Sequence, residues 1–186
     1  MTDKPGLQDL LFNDEEAVWT RIRLELSNSN CVKTQTAAAI VRYDQSSGKY
    51  RVFSFGSNSC APDRVSYSSK ISVCPRAKVK TGSNYELCAP IHAERMACLN
   101  IRHYSTTEDL LRFASHLPIS EEEILSTFNH DELKVLEGAS LYLVGHYWAC
   151  EGCVSFLNTL GITDIHFDSV TGVKTKERYS KLEIKK

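Results

Sequence analysis

The 186-residue chain has no apolar run long enough to span a membrane and no apolar stretch behind a basic start at its amino terminus. Neither a membrane segment nor a secretory leader is therefore expected. It also has no excess of one charge: 22 Lys and Arg stand against 23 Asp and Glu, for a net charge of -1. Proteins that neutralise nucleic-acid phosphates usually carry a basic surplus, so the overall charge disfavours that partner, whereas a small anionic substrate needs only a few local cations. No internal repeat and no low-complexity tract interrupts the sequence. What cysteine there is, seven residues and so an odd number, does not suit an oxidised scaffold in a chain of this size. The expectation is a cytoplasmic protein whose reduced thiols are available to a metal.

A length of 186 residues suits one domain with a core of its own, 1–186, and the 42% hydrophobic content is ordinary for a globular fold. From Gly6 to Cys31, Leu7, Leu10, Leu11, Ala17, Val18, Ile22 and Leu26 recur at helical intervals and predict one or two amphipathic helices. "TQTAAAIVRY" and "YRVFSFGS", joined by "DQSSGK", read as a β-hairpin. Asn58 to Ala89, rich in Ser, Pro, Gly and Lys, reads as a long loop leading into "PIHAERMACLNIRHY". In that stretch Pro90 suits a first helical position, which puts His92 and Glu94 in the first turn. Ser105 to Gly138 predicts two acidic helices broken at "LPIS", with Ser120 as a helix start. "ASLYLVG", "ACEGCVSFLNTLG" and "ITDIHF" then form a strand, a helix ended by Gly161, and a strand. This unit favours a mixed α/β sheet flanked by helices. A last strand is expected near Leu182 and Ile184.

The chemistry concentrates in two short strings. Cys150 and Cys153 lie three positions apart, which on a first helical turn turns both sulfurs to one side within reach of a single ion. Taken alone, such a pair equally fits a redox dithiol, half of a four-cysteine structural zinc site or two core residues. A lone His92 is weaker still, because most such histidines are packed or surface residues. Together the three supply the nitrogen and two sulfurs of a catalytic zinc site with a fourth position for water. Glu94, two residues beyond the histidine, then suits a proton carrier; its plain alternative is a solvated first-turn acid.

With these residues in view, "HAE" followed by a downstream Cys-x-x-Cys, a preceding hairpin ending "GSN" and a strand "LYLV" resemble the zinc-dependent cytidine and deoxycytidylate deaminase superfamily. The resemblance runs from about Thr34 to Phe167, and "CPRAKVKTGSNYELCAPIHAE" is most similar to the deoxycytidylate branch. It implies a three-layer α/β/α fold in which His92, Cys150 and Cys153 hold Zn2+ and Glu94 shuttles protons. It further implies that Asn58 meets the sugar or phosphate side of the substrate, and that the hydrolysis of dCMP to dUMP with release of ammonia is the reaction. Ala93 and Tyr147 are placed with the substrate, and Arg76 and Lys78, with Lys80, form the nearest basic cluster for a phosphate. An ordinary solvated loop explains those cations equally well. Tyr147 sits among His146 and Trp148, where stacking on a base competes with core packing.

The chain departs from this pattern in two places. Ala149 stands where the family usually has proline before the first cysteine, and 105–138 reads as a helical insertion between His92 and Cys150. Some members of the branch hold a second, structural zinc, to which Cys74 and Cys88 would belong. The resemblance also implies a homo-oligomer. Two other functions keep the same site: a deaminase acting on RNA or single-stranded DNA, for which the basic tail "KTKERYSKLEIKK" is the candidate surface, and a non-catalytic relative that binds a protein through its inserted helices. Retention of Glu94 argues against the last.

Overall fold

The structure, a computed structural model, describes residues 10–31, 33–60, 79, 90–102, 112–113 and 118–172. In chain order its elements are β1 (Leu10–Phe12), α1 (Glu15–Glu25), β2 (Ala37–Asp44), β3 (Lys49–Ser57), β4 (Ser59–Cys60), β5 (Pro90–Ile91), α2 (Ala93–Leu99), α3 (Glu121–Thr127), α4 (His130–Leu136), β6 (Ser140–Val144), α5 (Glu151–Thr159) and β7 (Asp164–Phe167). Five strands make one mixed sheet in the order β1-β3-β2-β6-β7. Among the described strands only β6 and β7 run parallel, joined by the crossover helix α5, as the strand-helix-strand reading expects. The fold is mixed α/β.

The hairpin β2–β3 turns where Asp44 accepts hydrogen bonds from the Ser46 amide and hydroxyl and from the Ser47 hydroxyl, and where Gly48 takes a φ of 66°. Its alanine run is fully buried because β2 is central and helices cover both of its sides. Ala37, Ala39 and Val41 face Val18, Trp19 and Ile22 of α1, whereas Ala38 and Ile40 face a larger cluster built from α2 to α5. The alternation survives a bulge near Ile40, where the register skips Phe53 of β3.

Helix α2 lies almost on the backbone of β3. A Cβ at Gly56 would stand 2.2 Å from the Ala97 amide nitrogen and 2.7 Å from the Ala93 carbonyl oxygen. Ala38, opposite Gly56 in the register, and Ala93 and Ala97 on the helix keep the rest of this contact small. The Ser54 hydroxyl donates to the Ala97 carbonyl at 2.6 Å and the Asn100 amide to the Phe55 carbonyl at 2.6 Å, pinning the C-terminal half of the helix. On the opposite face, Arg23 of α1 grips the buried Asp168 just beyond β7 with Nε at 3.2 Å and Nη2 at 2.7 Å. Burial alone would raise the Asp168 carboxyl, but the bonds from Arg23, Thr171 and Val170 outweigh it and lower its pKa to about 2.

Several expectations are corrected here. Leu10–Phe12, read as helix, is an edge strand pairing with Tyr50–Val52 of β3: a helical spacing of leucines is overridden where a sheet edge offers backbone partners. The helix proper begins at Glu15, capped by Asp14, whose side chain accepts from the Ala17 amide. Pro90 is not a first helical residue but pairs in β5 with β4, so α2 starts at Ala93 with His92 as its N-cap. Beyond "LPIS" the chain forms two short helices: Ser120 caps α3, as its position suggests, and an Asn129–Glu132 capping box restarts the chain as α4. Arg42 of β2 closes the end of α4 by donating to the carbonyls of Lys134, Val135 and Glu137. The helix expected before "LPIS", most of the long loop and the last strand lie outside the described residues. Among the described residues no helix is long and apolar enough to cross a membrane.

Two outcomes follow. Gly56→Ala should destabilise the protein by about 1–3 kcal/mol or more, because the clash is with helix backbone and cannot be relieved by a rotamer; thermal unfolding measures it. Asp168 is depressed in the folded state, so its stabilisation is full above about pH 4 and fades as pH falls through about 2. Asp168→Asn should lose about 2–3 kcal/mol near neutrality and should flatten that acid limb, as read by denaturant midpoints measured across pH 2 to 6.

Candidate metal centre

His92 and Cys150 occupy equivalent places on two helices. Each is an N-cap in extended conformation, φ −70° and ψ 153°, and neither side chain caps its own helix. Instead the two side chains turn toward each other. Because β2 is flanked by β3 and β6, α2 packed on β3 and α5 leaving β6 come to lie on the same face of the sheet, both in the larger core cluster. Their leading ends meet there. His92 Nδ1 is 3.5 Å from Cys150 Sγ and 3.4 Å from Cys153 Sγ, and the three donor atoms all lie within 4.8 Å of one another. Among the described residues this is the group of His, Cys, Asp and Glu side chains gathered closely enough to hold a metal ion. Cys153 is fully buried, and His92 and Cys150 are half-buried.

Hydrogen bonds link the three side chains and shift their protons unequally. The hydrogen bond from Cys153, joined by that with His92, overcomes burial and lowers Cys150 to about 4. Cys153, as the partner that keeps its proton beside that thiolate, is pushed far up, with burial adding to the effect. Burial pulls His92 down, but its bond to Cys150 and the charge of Glu94 outweigh this and raise it. A divalent cation placed among the three donors replaces those protons as the neutralising charge, so uptake of the ion releases protons.

Glu94, the second residue of α2, is 5% exposed and lies outside the donor group. Burial raises its pKa first of all, against the favourable charge of His92 and a bond from Cys153. Burial thus makes this carboxyl hold a proton more readily than a solvated one does. That is unlike the plain first-turn acid of the sequence alternative.

The other residues singled out in the sequence fall in three places. Ala93 is fully buried as the first residue of α2, against the sheet. Asn58 sits just past β3, where its Oδ1 accepts from the Ser29 hydroxyl at 2.6 Å and the Thr36 amide at 2.8 Å while its Nδ2 donates to the Thr34 carbonyl at 2.8 Å. It therefore ties down the segment between α1 and β2. Tyr147 is half-buried and stacks on His146 at 5.4 Å, with Trp148, 46% exposed, edge-on to the same imidazole at 5.1 Å. Burial and the nearby charge of His92 hold His146 below its ordinary value. Arg76, Lys78, Lys80, Cys74 and Cys88 lie outside the described residues. Sequence reasoning passed over Gly56, whose signal was a glycine inside a strand-like run, and Arg95, whose signal was a cation next to Glu94 in a helix whose remaining residues are apolar.

The chain matches no known protein family, no curated protein and no solved structure. The arrangement of the site is thus the ground for any functional reading.

A metal titration tests the geometry directly. Zinc added to the metal-free chain should raise its thermal midpoint, corresponding to about 2.7 kcal/mol when free zinc is a hundredfold above its dissociation constant. His92→Ala and Cys150→Ala should each bind one zinc fewer per chain than the unaltered protein, as counted by elemental analysis.

Proposed function

We propose that this chain is a zinc-dependent hydrolase that deaminates a cytosine nucleotide, with dCMP to dUMP as the leading reaction, on a cytidine-deaminase-like version of its α/β fold. The observation that carries the reading is the meeting of His92, Cys150 and Cys153 beside a buried Glu94. The donor set suits zinc in kind and in spacing. Bonds of about 2.0–2.1 Å to imidazole nitrogen and about 2.3 Å to thiolate give tetrahedral N···S edges of about 3.6 Å. The separations of 3.5 and 3.4 Å in the structure are close to that value. Three protein ligands of this kind are the number that catalytic zinc uses, and a zinc ion held by them would supply a water acidified toward neutrality.

The rest of the reaction is assigned to the chain's own groups. Glu94 takes a proton from the attacking water and delivers it to N3 of the cytosine ring. The C4 carbon now carries a hydroxyl and the amine together; Glu94 takes the hydroxyl proton and carries it to the amine, the C4–N bond breaks to release ammonia, and the C4 oxygen becomes the carbonyl. Water is consumed, a carbonyl replaces the amine, and Glu94 returns to its starting state. Its raised pKa makes the carboxylate a stronger base toward the attacking water than a solvated glutamate. Tyr147, on the turn leading to Cys150, is the aromatic assigned to the base, and the backbone at Ala93, between His92 and Glu94, borders the ring. Arg76 and Lys78 are assigned to the phosphate. Asn58 uses three of its four hydrogen-bonding positions on described residues, and its second Nδ2 hydrogen is assigned to a sugar oxygen. Assembly of several copies is part of the same proposal.

The test is ammonia release from dCMP, dCTP, cytidine, deoxycytidine and a cytosine-containing oligonucleotide. Release is expected from the mononucleotide, and Glu94→Gln should reduce it by about 100- to 10,000-fold while leaving bound zinc unchanged. His92→Ala should lose metal and turnover together. Release from the oligonucleotide alone would replace the substrate assignment, and full activity of Glu94→Gln would sink the proton-carrier role.

A further inference from the structure

The turn that carries both cysteines is fastened by a side chain outside the donor group. Arg95 follows Glu94 on α2 and is 3% exposed, as deeply placed as the apolar residues around it. Its Nη2 donates at 3.1 Å to the carbonyl of Gly152, one of the two residues between Cys150 and Cys153, and its Nη1 donates at 3.3 Å to the carbonyl of Phe113. The guanidinium carbon lies 5.3 Å from the centre of the Phe156 ring, one turn further along α5. Phe113, fully buried, meets the same ring edge-on, at 5.8 Å and 76°. Gly152 has no side chain by which it could be held, so its carbonyl is the handle on this part of the turn. A planar, always charged guanidinium can address two carbonyls and a ring face at once, which a lysine ammonium on a flexible stem cannot.

We propose that Arg95 is a positioning residue of the metal centre, fixing the Gly152 carbonyl and with it the spread of the Cys150 and Cys153 donors, and that Phe113 braces it from the segment between the two ligand-bearing helices. The inference rests on the reading of His92, Cys150 and Cys153 as a metal site. It gives Phe113 a part in that site: its backbone carbonyl and ring support Arg95, and Arg95 in turn holds the cysteine turn. Supports of this kind set donor geometry and commonly change metal affinity by about 10- to 100-fold when removed.

The experiment uses the full chain with zinc or cobalt(II), the unaltered protein beside Arg95→Met, Arg95→Lys and Phe113→Leu. Arg95→Met should weaken zinc binding by about 10- to 100-fold in competition with a chromophoric chelator, and should shift the visible absorption bands of the cobalt-loaded protein, which report the arrangement of donors. Arg95→Lys, keeping charge but losing the fork, should fall between it and the unaltered chain, and Phe113→Leu should weaken binding in the same direction by less. Should Arg95→Met fail to fold by circular dichroism, the other two variants carry the test. Folded variants with unchanged zinc affinity and an unchanged cobalt spectrum, whatever their thermal midpoints, would overturn the role of Arg95 and leave the metal site standing. An unaltered chain that takes up no ion dependent on His92 would overturn both.

Discussion

The close seating of α2 on the β2–β3 hairpin governs the rest of the structure. No side chain separates helix from strand at Gly56, and the neighbours there are alanines, so the helix axis is held near the sheet by backbone contact instead of by interdigitating side chains. That height decides where His92 projects. A helix packed on larger residues would lift its leading end away from α5, and an imidazole 3.4 and 3.5 Å from two sulfurs tolerates little displacement. Ser54 and Asn100 add direction to the contact by bonding the helix and the strand to each other near the far end of α2. The centre is therefore built on regular elements, which hold side chains more reproducibly than loops do.

A second constraint is electrostatic. Two thiols, an imidazole and a carboxyl share a largely buried corner, and burial opposes a charge on any of them in isolation. The arrangement settles on an internal division of protons: Cys150 gives one up while Cys153 keeps its own. Its three donor atoms stand closely enough together to hold a metal ion. The same burial that makes the set costly also sets Glu94 apart from a surface acid, so the donors and the carboxyl draw their properties from one environment.

Much of the fold was legible in the residues. The hairpin, β6, α5 and β7 each announced themselves by alternation, a buried apolar run or a terminating glycine, and Gly161 does adopt a φ of 78°. The convergence of His92 with Cys150 and Cys153 was legible as spacing and type, although the distances that make them one group belong to the sheet order. What escaped was decided by partners distant in sequence. Leu10–Phe12 is a strand only because β3 offers an edge, and Pro90 is drawn into pairing by Ser59–Cys60. The bonds from Asn58 to Ser29, Thr34 and Thr36 form a network no local pattern reveals. The burial of Arg95 likewise depends on Phe113 and Phe156, which lie far along the chain.

The grip of Arg23 on Asp168 bears on how the molecule can be trimmed. Asp168 also accepts from the Thr171 amide and hydroxyl, and the Thr171 hydroxyl in turn receives the amide of Gly145 at the end of β6. Gly145 itself lies so close to the Gln35 carbonyl that a Cβ would approach it to 2.3 Å, at a φ of 85° that already favours glycine. The first helix is thus fastened, through one carboxylate, to the peptide that launches the chain toward Cys150. A shortened version beginning after α1 would strip the smaller core cluster of its cover and leave a buried anion without its counter-ion, at a site that leads straight to the cysteine turn. The amino-terminal helix is in this sense a keystone for the far end of the sheet, and deletion mapping should treat it as part of the domain rather than as an appendage.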